Sequence, residues 1–73
     1  MYIIRNVKDG RVVTVGKNEG RFYVRNSGNV SDELELFITD DIKEAYDVLE
    51  ATKSAWAGIN VDAWRIIDIG EVG

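Results

Sequence analysis

The stretch Thr39 to Gly58, TDDIKEAYDVLEATKSAWAG, decides the fold, because it is the one segment of this 73-residue chain that reads as a long amphipathic helix. Ile42, Ala45, Tyr46, Leu49 and Trp56 recur at the spacing that lines one side of a helix, while Asp41, Lys43, Glu44, Asp47 and Glu50 fall mostly on the other. The ends are marked too. Thr39 can accept a hydrogen bond from a first-turn amide, Asp40 and Asp41 suit the positive end of the helix dipole, and Gly58 can take a left-handed closing conformation. Such a stripe needs a sheet to cover.

The sheet precedes it. Tyr2 to Val7 and Arg11 to Val15 are rich in β-branched and aromatic residues and meet at Asp9-Gly10, a two-residue hairpin signal. Pairing outward from that turn sets Val7 opposite Val12 and Arg5 opposite Thr14. A four-residue loop from Lys17 to Gly20 then sets Val15 opposite Phe22, Thr14 opposite Tyr23 and Val13 opposite Val24. Two faces result. Tyr2, Ile4, Val13, Val15, Phe22 and Val24 form the floor for the helix, and Ile3, Arg5, Val7, Val12, Thr14, Arg21, Tyr23 and Arg25 form the opposite face.

After a polar break at Asn26 to Asn29, Leu34, Leu36 and Ile38 alternate with Glu33, Glu35 and Phe37, either as a short strand or as an unpaired lead-in to the helix. Ala63 to Ile69 reads as a last strand beside the first. Trp64 and Ile66 share one of its faces and Arg65, Ile67 and Ile69 the other, and the pattern leaves open which is buried. The expected fold is a single α+β domain over 1–73, an antiparallel sheet of three to four strands with one long helix packed on one face, in the order β-β-β-(β)-α-β.

Composition narrows function mainly by exclusion. The chain has no cysteine and no histidine, which removes thiolate chemistry, the commonest general base and the commonest metal ligand. No catalytic residue, metal site or cofactor is expected, so the reading is non-enzymatic. Lys17 lies in a glycine-flanked loop, but without phosphate-loop spacing or a following helix. The longest uncharged run, Ser54 to Val61, is too short to span a bilayer, and Arg5 interrupts any signal-peptide core, so a soluble cytoplasmic location with no membrane partner is expected; the sequon Asn29-Val-Ser31 then has no use as a glycosylation site. Net charge is −4, yet residues 1–28 hold six basic and two acidic side chains and residues 29–73 hold three basic and eleven acidic ones. The basic half carries the sheet hairpins and the acidic half the helix.

The candidate site is therefore the sheet face away from the helix, with Arg5, Val7, Val12, Arg21, Tyr23 and Arg25. Arginine and tyrosine around aliphatic residues match the composition of protein interfaces, so the expected partner is another protein or a second copy in a homodimer. Single-stranded nucleic acid is the alternative, with Tyr23 stacking on a base and the arginines meeting phosphates. Gly20-Arg-Phe-Tyr-Val-Arg25 resembles part of the aromatic strand motif of RNA-recognition domains, but Phe22 belongs to the core face and leaves only Tyr23 outside. A third reading uses the acidic helix surface, Asp40, Asp41, Glu44, Asp47 and Glu50, as a polyanion mimic against a DNA-binding protein.

Met1-Tyr-Ile-Ile4, the turn-linked strands, Phe37-Ile-Thr39 leading into a helix with Glu44-Ala45, and the apolar strand Ile66-Ile-Asp-Ile69 together resemble the small α+β proteins encoded by phages and prophages. Those proteins usually space phenylalanine, any residue, threonine, two residues and glutamate-alanine, whereas four residues separate Thr39 from Glu44 here. As a group they act mostly by binding host or phage proteins. The resemblance implies a protein-binding role and assigns no site residue.

Overall fold

A computed structural model of the chain describes residues 1–17, 20–26, 34–56, 58 and 60–70. The elements are β1 (Tyr2–Asn6), β2 (Arg11–Gly16), β3 (Phe22–Asn26), β4 (Leu34–Leu36), α1 (Ile42–Ala55), a 3-10 turn (Val61–Ala63) and β5 (Trp64–Asp68). All five strands join one antiparallel sheet in the lateral order β3-β2-β1-β5, with β4 also on β2, and α1 packs across one face. This is the expected α+β architecture, with the segment before the helix paired as a strand. The sequon at Asn29, most of the polar break after Asn26, and Asn18 and Glu19 of the second hairpin loop lie outside the described residues.

The β2–β3 hairpin has the expected register, Val13 opposite Val24, Thr14 opposite Tyr23 and Val15 opposite Phe22. Its loop is closed by Gly16 N–H donating to the Arg21 carbonyl at 2.9 Å and Gly20 N–H to the Gly16 carbonyl at 3.1 Å. The first hairpin differs. Arg5, not Val7, stands opposite Val12, so the turn holds four residues instead of two. The cause is Asn6, which is fully buried: its Oδ1 accepts from the amides of Lys8 (3.0 Å) and Asp9 (3.2 Å), and its carbonyl accepts from Gly10 N–H at 2.9 Å. An asparagine that bonds the amides ahead of it makes its own turn, and Gly10 at φ +78° closes it where a side chain would be strained. A slip of two residues leaves every side chain on its expected face.

β1 and β2 register next to the turn, and the segment from Leu34 to Thr39 runs between them at the open end. It pairs first with β2 (Gly16 opposite Leu34, Thr14 opposite Leu36) and Phe37 N–H donates to the Val13 carbonyl at 3.0 Å. It then bridges β1, where Tyr2 and Thr39 exchange hydrogen bonds of 2.7 and 3.0 Å. On the far side of β1, β5 pairs Ile3 with Ile67, Ile4 with Ile66, Arg5 with Arg65 and Asn6 with Trp64. That register settles the faces of the last strand: Trp64 and Ile66 turn to the helix, Arg65 and Ile67 away from it.

The core contains Ile4, Val13, Val24, Phe37, Val48, Leu49 and Trp64, with Val15, Trp56 and Ile66 packed against it. Ile4 and Val13 are fully enclosed, each contributing roughly 1.5–3 kcal/mol of transfer free energy. Trp64 is enclosed as well; the Arg11 guanidinium lies 5.2 Å from its ring centroid, and its indole N–H has no hydrogen-bond partner among the described residues.

The helix is shorter than its periodic stretch and turned about its axis. Asp41 is the N-cap, its carboxylate accepting from Lys43 N–H at 2.9 Å, while Thr39 Oγ1 accepts from Asp41 N–H one step earlier. Trp56 closes the far end, and Gly58 stands beyond it at φ +148°. The buried side is Ala45, Val48, Leu49 and Thr52, whereas Ile42 and Tyr46, expected in the stripe, are 40% and 57% exposed. Thr52 fits the core side because its hydroxyl donates to the Val48 carbonyl at 2.8 Å, leaving its methyl to pack.

Replacing Asn6 with alanine strands two turn amides and the Asn60 carbonyl, which accepts from Asn6 Nδ2 at 2.8 Å. We expect Asn6→Ala to lower unfolding stability by roughly 1–3 kcal/mol in urea titrations; a loss within error of zero contradicts its role as the organiser of the turn.

Candidate functional site

The sheet register draws a row across the face opposite the helix. Arg25 stands opposite Val12, Val12 opposite Arg5, and Arg5 opposite Arg65, so three arginines and one valine run across β3, β2, β1 and β5. Arg5, Arg25 and Arg65 are exposed, and none has a carboxylate at ion-pair distance among the described residues. The two outer arginines are tied back to main chain. Arg25 Nη1 donates to the Val24 carbonyl at 2.9 Å with its guanidinium 5.4 Å from the Tyr23 ring centroid, and Arg65 Nη1 donates to the carbonyls of Asp62 and Trp64. The guanidinium of Arg5, in the middle, has no hydrogen-bond partner among the described residues.

A second row is apolar. Tyr23 lies opposite Thr14 and Thr14 opposite Leu36; the Tyr2–Thr39 bridge brings Ile38 alongside Ile3, which faces Ile67. Thr14 is fully buried and its hydroxyl donates to the Tyr23 carbonyl at 2.9 Å. Ile3 and Val12 are 9% and 5% exposed, so the accessible apolar surface is offered instead by Tyr23, Leu34, Leu36 and Ile67, all half-buried, and Ile38 at 38%.

Of the six residues expected here, the structure brings Arg5, Tyr23 and Arg25 together and puts Val12 beneath them. Val7 is 57% exposed out on the hairpin turn, where it lines a hollow of about 400 Å³ with Lys8, Val61 and Arg65. Arg21 leaves the group: it precedes β3 and lines a cleft on the helix side. Sequence reading did not include Arg65, Leu36, Ile38 or Ile67. The missing step for Arg65 and Ile67 was the burial of Trp64, which fixes the opposite face of the last strand.

On the helix, Asp40, Asp41, Glu44, Asp47 and Glu50 are all exposed, but Asp41 is occupied as the N-cap and Lys43 interrupts the run. Among the described residues no group of acidic side chains is arranged to hold a metal ion, and no helix is long and apolar enough to cross a membrane.

At the turn end of the sheet, Asp9 is tightly held. One carboxylate oxygen accepts from Arg11 N–H at 2.9 Å, and the other from Arg11 Nε at 2.8 Å and Asn60 Nδ2 at 3.3 Å. Desolvation pushes its pKa up, but the Arg11 amide, the Asn60 amide and the Arg11 guanidinium with its charge outweigh this and hold it below the ordinary value of 3.8. A depressed carboxylate pKa contributes stability that is present above the unfolded value and lost as pH falls through the folded one. The stability difference between the native chain and Asp9→Asn should therefore be constant above the ordinary carboxylate range and shrink on acidification below 3.8. Urea unfolding at a series of pH values measures it, and a gap that does not change with pH contradicts the assignment.

No protein family, curated protein or solved structure matches this chain.

Proposed function

We propose that this chain is a non-enzymatic binding protein whose outer sheet face docks a partner protein bearing carboxylates. One observation carries the reading: three guanidiniums in a row, without acidic partners among the described residues, beside a strip of half-exposed Tyr23, Leu36, Ile38 and Ile67. Like charges placed directly opposite each other on a sheet, as Arg5 and Arg65 are, cost stability unless something neutralises them. An acidic partner does so, and the aliphatic strip supplies the apolar contact that charge alone lacks.

The same row disfavours a symmetric dimer through this face. A two-fold interface sets the patch against its own copy, which brings guanidinium towards guanidinium. A foreign acidic surface meets no such repulsion. Single-stranded nucleic acid is the second reading, favoured by the Arg25–Tyr23 stack, which offers one aromatic platform beside a cation. The net charge of −4 and the single platform weigh against it.

Charge reversal separates these. Arg5→Glu should weaken the captured partner at least tenfold, about 1.4 kcal/mol, whereas Asp47→Lys on the helix should leave it bound. Retention of the partner by Arg5→Glu together with loss by Asp47→Lys would move the function to the acidic helix and its polyanion mimicry. Binding of single-stranded oligonucleotides that weakens steeply with salt and with Tyr23→Ala would favour the second reading.

A further inference from the structure

We propose that the free edge of β3 and the cleft beside it form a docking site for an extended segment of a partner protein in which acidic and apolar residues alternate. This site faces the helix side and the sheet edge, and it shares Arg25 with the arginine row but needs neither Arg5 nor Arg65.

The edge comes first. β3 pairs with β2 on one side and, among the described residues, with nothing on the other. Gly16 N–H donates to the Arg21 carbonyl and the Thr14 hydroxyl to the Tyr23 carbonyl, so the main-chain groups of Arg21 and Tyr23 point towards β2. Alternation along a strand then sends those of Phe22 and Val24 outward, where an added strand finds its hydrogen bonds.

A cleft of about 380 Å³ lies on the helix side of the same strand, lined by Arg21, Phe22, Val48, Ala51, Ala55 and Trp56 among others. Phe22 is 41% exposed, and its ring is held edge-on against Phe37 at 5.6 Å and 78°, which fixes the floor. Ala51 and Ala55, both exposed, leave the helix flank without bulk, and Trp56 closes one end half-buried. A side chain projecting inward from a strand beside Phe22 reaches this space.

The chemistry of the occupant follows from the two faces of that strand. Inward positions meet Phe22, Trp56 and the alanines and take apolar side chains. Outward positions meet Arg25, and Arg21 stands at the mouth of the cleft; β3 itself carries no carboxylate. Acidic residues therefore belong on the outward side, and strand alternation turns this into an acidic–apolar repeat. Arg25 adds selectivity. In the free protein its guanidinium caps the outward carbonyl of Val24 and blunts the edge against indiscriminate strand pairing. A carboxylate on the incoming strand draws it away and frees that carbonyl, while a basic or neutral strand leaves it in place.

The test titrates the isotopically labelled full chain with a short acetylated peptide alternating glutamate and valine around a central phenylalanine, followed by NMR. Saturable shifts are expected at the amides of Phe22, Val24 and Ala51 and at the Trp56 indole. Binding should weaken at least tenfold when lysine replaces glutamate in the peptide. It should weaken equally in Ala51→Glu, an exposed helix position where glutamate is a good helix former and folding is retained. Arg5→Glu should leave it unchanged, which keeps this result separate from the arginine-row reading. No saturable shift, equal binding of the lysine peptide, indifference to Ala51→Glu, or shifts mapping to Arg5 and Arg65 would each overturn the proposal.

Discussion

The constraint behind this structure is one of width. Four strands at about 4.8 Å spacing occupy roughly 19 Å, and the single helix laid on them is about 10 Å across. α1 settles over β1 and β5, where Val48 and Leu49 join Ile4, Trp64 and Ile66 in the core. The largest fully buried side chain, Trp64, goes under that side, with an indole N–H that is unpaired among the described residues set against its apolar area. Among the described residues, what remains towards β3 is covered by Phe22, Phe37 and the end of the helix at Trp56, and the cleft lies beside them.

The opposite face has no further element among the described residues laid across it, yet Ile3 and Val12 within it are buried. Arg25 and Arg65 each sit on an edge strand and each donate to the carbonyl of the preceding residue, so the sheet carries the same blunting device at both borders. Arg5 has no edge to protect, and its guanidinium has no hydrogen-bond or ion-pair partner among the described residues. A side chain in conflict with its neighbours and without local compensation is the sort of position retained for contacts made elsewhere.

The sequence made the sheet readable because alternation in β2 and β3 allows only one assignment of faces, and Val13, Val15, Phe22 and Val24 had nowhere else to go. The first hairpin slipped by two residues since Asp9-Gly10 suggests a tight turn, while the competing donor-acceptor pattern of Asn6 acts only once that side chain is buried. The helical stripe was harder. Thr52 looks polar in a sequence and hides its hydroxyl on the preceding turn, whereas Tyr46 and Ile42 look buried and are exposed. The arginine row needed both registers at once: Arg5 and Arg25 follow from the hairpins, but Arg65 depends on a strand pairing across nearly the whole chain.

That distant pairing shapes how the protein can form. β2 and β3 are joined by a short loop and can zip together early, but β1 finds its main companion only in β5, with Ile3 opposite Ile67. The entropy of closing so long a loop has to be met before the Trp64 side of the core gives anything back. On a ribosome, β1 keeps that edge unpaired until the final strand has been synthesised.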